Sequence, residues 1–230
     1  MDAQLGGNIG KPILDLKIKK NSIVIIEASS FQLFYTKFIK PTFAVILNIA
    51  KDHLDWHGTI KNYKNSKFNI FSKQGKQDYA LLNNQELIKQ FTKKHFLSKL
   101  KKIQDNTLTK YIKNKYLLSK PNLENVSFVY ELSKIFKIKK KIILKALNTF
   151  KGLMHRNEIF HQKRGVTFIN DSKATSFDAT KHALKNKKNI FWIVGGLPKS
   201  GDKFNLKSVR KNIIKSYIIG KHINYFKKKI

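Results

Sequence analysis

Ser22-Ile23-Val24-Ile25-Ile26-Glu27-Ala28-Ser29-Ser30 is the stretch whose reading decides the fold. Four consecutive β-branched residues favour a strand, and a run without polar alternation suits a strand of a parallel sheet covered on both faces. The run ends on an acid and then on hydroxyls. In parallel α/β sheets ligands bind outside the carboxyl ends of strands. A carboxylate with two hydroxyls there suits Mg²⁺ and phosphate oxygens. A strand-end acid followed by a serine helix cap is the plainer alternative.

The neighbouring sequence repeats the pattern. Phe43-Ala44-Val45-Ile46-Leu47-Asn48 reads as a second buried strand, followed by Asp52-His53-Leu54-Asp55. Two acids and an imidazole that close together suit a metal or a polar substrate, and equally a solvated, capped loop. Two neighbouring strands would deliver Glu27 and His53 to one sheet edge. A helix is expected over 59–72, with Ile60, Tyr63, Lys67 and Ile70 on one stripe. Burial of Lys67 on that stripe would lower its pKa, make it nucleophilic and allow it to form a carbamate with CO₂; a snorkelling lysine is the alternative.

A third strand is expected at 79–83 and a helix at 85–92. Short strands are expected within 97–120. Asn122 is expected to cap a helix running to about Phe136, and a further helix spans 139–150. Lys151-Gly152-Leu153-Met154-His155-Arg156 breaks the periodicity, dividing the chain into domains at 1–151 and 152–230. The second part reads as strands at 158–161 and 166–170, a helix at 177–184, a strand at 190–194, a helix at 206–214 and a strand at 217–219. This alternation predicts an α/β fold: a parallel-sheet domain followed by a Rossmann-like one.

Two further loops have anion-binding character. Asn170-Asp171-Ser172-Lys173-Ala174-Thr175 lies between a strand and a helix, where a helix N-terminus and a lysine would hold a carboxylate or phosphate. Gly195-Gly196-Leu197-Pro198-Lys199 places a glycine turn and a lysine at another strand end. The 230 residues contain no Gly-x-x-x-x-Gly-Lys-Ser/Thr loop.

Composition narrows the classes. Lysine and arginine number 47 against 14 acids, a net charge of +33. Three of the 47 are arginines (Arg156, Arg164 and Arg210), whereas readers of bases and phosphates favour the arginine fork. Lysine together with abundant Ile, Asn and Phe matches an AT-rich coding bias, so a nucleic-acid partner is not expected. Cysteine is absent, which excludes disulfides and thiolate metal sites. There is no secretory leader and no apolar run of bilayer length; a cytoplasmic protein, bound to no membrane and monomeric, is expected.

Taken in order, Gly6-Gly7-Asn8-Ile9-Gly10-Lys11-Pro12, Glu27-Ala28-Ser29-Ser30-Phe31-Gln32-Leu33, Leu47-Asn48-Ile49 with Asp52 to Asp55, Lys67, Asn122, Asn125, Gly152 to Glu158, Asn170 to Thr175 and Gly195 to Lys199 resemble the Mur ligase family. The Ser-Ser-Phe-Gln-Leu stretch is most similar to its D-glutamate-adding branch. The resemblance implies an ATP- and Mg²⁺-dependent amide ligase of peptidoglycan synthesis, joining D-glutamate to UDP-N-acetylmuramoyl-L-alanine through an acyl phosphate. It implies metal ligation by Glu27 and His53, with Lys67 carbamylated. Asn8 and Ser29 would line the muramoyl and phosphate pocket. Asn122, Asn125, Arg156 and Asp171 would contact ATP, and Lys173, Thr175 and Lys199 would hold D-glutamate. The sequence departs from the family by lacking the uracil-nucleotide domain, the phosphate loop and the C-terminal Ser/Phe segment. Trp56 stands where the family usually has Arg, and Pro121 where it usually has His. The expectation is a fragment that does not turn over alone, leaving a nucleotide- or substrate-binding fragment as the alternative. A basic nucleic-acid-binding protein is the remoter one.

Overall fold

Strand formation follows the β-branched runs, and a computed structural model shows how they are used; it describes residues 2–104, 108–198, 202 and 205–230. The chain divides into Met1–Thr149 and Phe150–Ile230.

In the first unit β1 (Ala3–Gly7) and β2 (Ile23–Glu27) pair in parallel, Gly7 standing opposite Glu27. Gly7 has φ +112°, and a Cβ there would lie 2.3 Å from the Glu27 carbonyl oxygen. Glycine is therefore required for β1 to close against the end of β2. α1 (Ser30–Tyr35) follows directly, and Ser29 and Gln32 form a reciprocal capping box at its start. β3 (Phe43–Val45) leads to α2 (Leu54–His57) and α3 (Ile60–Phe68), the latter capped by Thr59. β4 (Tyr79–Leu82), α4 (Gln85–Lys93) and β5 (Lys99–Lys102) complete a parallel sheet ordered β3-β4-β5. Two helices close the unit, α5 (Lys120–Ile135) and α6 (Lys140–Thr149).

This three-stranded sheet is covered on both faces. Ala80 and Leu82 pack with Ala44, Phe68, Phe71 and Phe91. Leu81, pointing the other way, packs with Ile103 and with Phe128 of α5. α5 and α6 share a further core of Val126, Ile143 and Leu147 with Leu108 and Leu117.

In the second unit β6 (Glu158–Lys163) and β7 (Val166–Asn170) form an antiparallel hairpin. Its turn residues Arg164 and Gly165 have φ +47° and +77°, as a tight hairpin turn demands. α7 (Phe177–Lys185) is capped by Ser176, and β8 (Ile190–Gly195) pairs in parallel with β9 (Ile213–Ile219). α8 (Ile223–Lys227) ends the chain, and Leu184, Trp192 and Val209 form the core. The α/β class with parallel sheets is as expected.

Five local expectations are corrected. Ile25 and Ile26 are 53% and 39% exposed, so β2 is not covered on both faces; among the described residues it pairs with β1 alone. β2 and β3 belong to different sheets and are not hydrogen-bonded neighbours. Asn122 does not cap α5, which starts two residues earlier with Pro121 in its first turn. No helix occupies 206–214: a 3₁₀ turn at Arg210–Asn212 leads directly into β9. Among the described residues of 97–120 the expected short strands reduce to β5, followed by 3₁₀ turns at Thr109–Tyr111 and Lys115–Leu118.

Candidate functional site

Glu27 occupies the carboxyl end of β2, and its Oε2 is buried without a hydrogen-bond partner. Burying a carboxylate oxygen unpaired is costly, so a cationic or donor partner would stabilise this position. Its backbone carbonyl accepts from the Asn8 N–H at 2.8 Å, which ties the Gly6–Gly10 turn to the same strand end.

The Asp52-His53 pair reaches the same place by another route. His53 has φ +52°, a left-handed conformation uncommon for a side chain of its kind, and it opens α2. The Asp52 carboxylate accepts from the His53 backbone N–H at 2.9 Å, and its other oxygen lies 3.6 Å from Nε2. Phe31 of α1 packs edge-on against the His53 ring, with centroids 4.8 Å apart.

Lys67 on α3 connects these two groups. Burial lowers its pKa, opposed by the nearby carboxylates of Glu27 and Asp52. Its Nζ sits 5.3 Å from the centre of the Tyr63 ring. Tyr63 is itself pushed up to about 12, by burial first and by Asp52 second. The structure therefore gathers Glu27, Asp52, His53 and Lys67 although β2 and β3 do not pair, because α1, α2 and α3 carry them together. Ser29 lies in the capping box, where its hydroxyl accepts from the Gln32 N–H at 3.2 Å.

Among the described residues no group of three or more His, Cys, Asp or Glu side chains is placed to hold a metal. A Mg²⁺ ion needs no such group, since it keeps several waters and is held by one or two carboxylates plus phosphate oxygens. The buried, unpartnered Glu27 oxygen has the chemistry to serve as one of those carboxylates.

The other predicted groups lie elsewhere. In the first unit the Asn122 amide donates to the Tyr116 carbonyl, fixing the turn before α5, and Asn125 is exposed one turn on. In the second unit Asp171 accepts from the Asn157 N–H at 2.8 Å, and the Lys173 N–H donates to the His155 carbonyl at 3.0 Å. His155 and Asn157 both have positive φ. Burial raises the Asp171 pKa, opposed by the Asn157 N–H and then by the Arg156 charge. Arg156, Asp171 and Lys173 are thus drawn into one knot, and Thr175 follows it, exposed, before α7. Lys199 lies outside the described residues.

Sequence reasoning missed His57. It is 5% exposed, and its Nε2 lies 3.0 Å from Ser30 Oγ while its Nδ1 lies 3.4 Å from Ser66 Oγ. Burial, then the His53 and Lys67 charges, lowers its pKa. Nothing in the sequence around it marked it as buried.

An α/β fold whose strand end and adjoining helices gather a carboxylate, an imidazole and a lysine has the chemistry for anionic, phosphate-bearing ligands. Residues 8–150 match the Mur ligase middle domain. The chain belongs to the Mur ligase family. It is 34% identical, over 95% of its length, to a UDP-N-acetylmuramoylalanine–D-glutamate ligase of Pseudothermotoga lettingae, and 35% identical over 97% to one of Oenococcus oeni. It covers 53% and 56% of those proteins, about half their length. The fold is similar to that of a solved MurF from Acinetobacter baumannii, with a TM-score of 0.65 at 19% identity over 82% of this chain and 48% of that one. It is also similar to the MurF ligase from Thermotoga maritima solved with ADP, with a TM-score of 0.59 at 14% identity, covering 85% and 58% of the two chains.

Proposed function

We propose that this chain carries the central ATP-binding and C-terminal portions, residues 1–151 and 152–230, of a cytoplasmic, monomeric ligase that adds D-glutamate to UDP-N-acetylmuramoyl-L-alanine. The observation that carries this reading is the likeness to ligases of that name over nearly the whole chain. The buried, unpartnered Glu27 oxygen beside Lys67 supports it.

The chemistry asked of the site is activation of a poor electrophile. The alanine carboxylate attacks the γ-phosphorus of ATP, and the bond to ADP breaks. The D-glutamate amine then attacks the acyl carbon, the bond to phosphate breaks, and the amine proton is released. Bound Mg²⁺ would neutralise the phosphate charge that both steps crowd together. Glu27 and His53 would hold it, with Lys67 assisting as a carbamate. Asn8 and Ser29, at the end of β2, would line the phosphate side of the pocket. Asn122, Asn125, Arg156 and Asp171 would contact ATP. Lys173, Thr175 and Lys199 would bind the D-glutamate carboxylates, and lysine excess would draw in anionic substrates.

A second reading is favoured by the lack of a Gly-x-x-x-x-Gly-Lys-Ser/Thr loop in the 230 residues: nucleotide or substrate binding without turnover. One experiment separates the two. Purified chain is given ATP, Mg²⁺, D-glutamate and UDP-N-acetylmuramoyl-L-alanine while phosphate and dipeptide product are measured, and ADP binding is followed by calorimetry. Product with phosphate release establishes ligation. ADP binding without release selects the second reading, and neither signal refutes both.

A further inference from the structure

Several buried polar side chains of the first unit bond to backbone carbonyls. Ser127 and Ser133 donate to carbonyls of their own helix, and Gln74 ties the Pro41 and Tyr79 carbonyls. His57 differs, because it joins three segments that each carry part of the candidate site. Ser30, which it meets through Nε2, follows Glu27 by three residues at the start of α1. Ser66, which it meets through Nδ1, precedes Lys67 on α3. His57 itself ends α2, whose first turn it closes by donating its N–H to the His53 carbonyl at 2.9 Å. The three side chains are 2%, 5% and 3% exposed.

Ser66 donates its hydroxyl proton to the Asn62 carbonyl at 3.0 Å. One tautomer of the ring, with its proton on Nδ1, would let Ser66 accept from His57 while Ser30 donates to Nε2. Each polar atom of this buried relay is satisfied by a neutral imidazole, with Phe31 stacked on one ring face at 5.5 Å between centroids.

We propose that His57 is a positioning residue: through Ser30 and Ser66 it holds the segments bearing Glu27, His53 and Lys67 in one register. The proposal rests on the metal assignment made above and deepens it. Groups hydrogen-bonded to a metal's direct ligands typically contribute about 10–100-fold to its affinity; His57 bonds Ser30 and Ser66, the neighbours of the segments that carry the ligands.

The test uses Mn²⁺ as the probe, with free ion followed by electron paramagnetic resonance on the full chain, and melting temperatures recorded for every variant. His57→Phe keeps the ring shape and removes both hydrogen bonds. It is expected to weaken Mn²⁺ about tenfold or more. His57→Gln, which can restore the contact to Ser30, is expected to recover part of that loss. Ser30→Ala and Ser66→Ala, which keep the ring and its packing, are expected to lose less than His57→Phe and serve if that variant does not fold. Wild-type Mn²⁺ affinity in the folded His57→Phe or in both serine variants, while Glu27→Gln loses it, overturns the positioning role alone. Wild-type affinity in Glu27→Gln, or no binding by the wild type, overturns the metal assignment and the positioning role with it.

Discussion

The two parallel sheets of the first unit grow from the same kind of sequence and end in opposite environments. In β3-β4-β5, Ala44, Ala80, Leu81 and Leu82 are all fully buried. In β1-β2, Leu5 and Ile25 are 54% and 53% exposed. The first sheet carries stability, since its side chains fill two cores. The second would carry the proposed chemistry, since its strand end presents Glu27 and the Gly6–Gly10 turn. An apolar run specifies a strand at β2 and at β4 alike; how much of that strand is covered depends on what packs against it.

Substitutions can break that contrast, beginning with the largest effect. Phe71→Ala removes a fully buried ring that packs with Phe68 and Phe91. It is expected to destabilise the first unit by about 3–5 kcal/mol in denaturant unfolding. Asn212→Ala in the second unit removes a buried amide that donates to the Leu184 carbonyl at 2.9 Å. A loss of about 1–3 kcal/mol is expected, confined to the second unit's transition. Ile25→Thr, on the exposed strand, should change stability by no more than about 0.5 kcal/mol. A loss as large as that of Phe71→Ala would mean that β2 is covered in solution and would erase the contrast.

Lys67 sharpens the comparison through pH. Its folded pKa is lowered from 10.5, chiefly by burial. The folded state therefore disfavours the bound proton: the destabilisation is fully present below the folded pKa and is relieved as pH rises from there towards 10.5. Lys67→Met should remove this alkaline rise in melting temperature without lowering stability at neutral pH. An unchanged pH profile in that variant would show that Lys67 is not the group responsible.

What was legible in the sequence follows from these energetics. β2, α3, β4, α4 and α7 were readable because strand runs, helical stripes and cap residues agree there. The Glu27, Asp52-His53 and Lys67 motifs were readable as residue types, but their assembly was not, since it runs through helix packing rather than strand pairing. The helix expected at 206–214 fails because Leu206, Val209 and Ile213 mimic a helical stripe while packing as a turn and a strand start around Trp192. α8 is five residues long, too short to leave a periodic signal. His57 gave no sign of burial, since a lone histidine after Trp56 reads as surface until Ser30 and Ser66 are seen beside it.

If the end of β2 meets a metal-bound phosphate ligand as proposed, Mg²⁺-ADP binds the wild type and Glu27→Gln weakens that binding about tenfold or more in calorimetry. Equal affinity in the two proteins would show that Glu27 takes no part in binding the ligand.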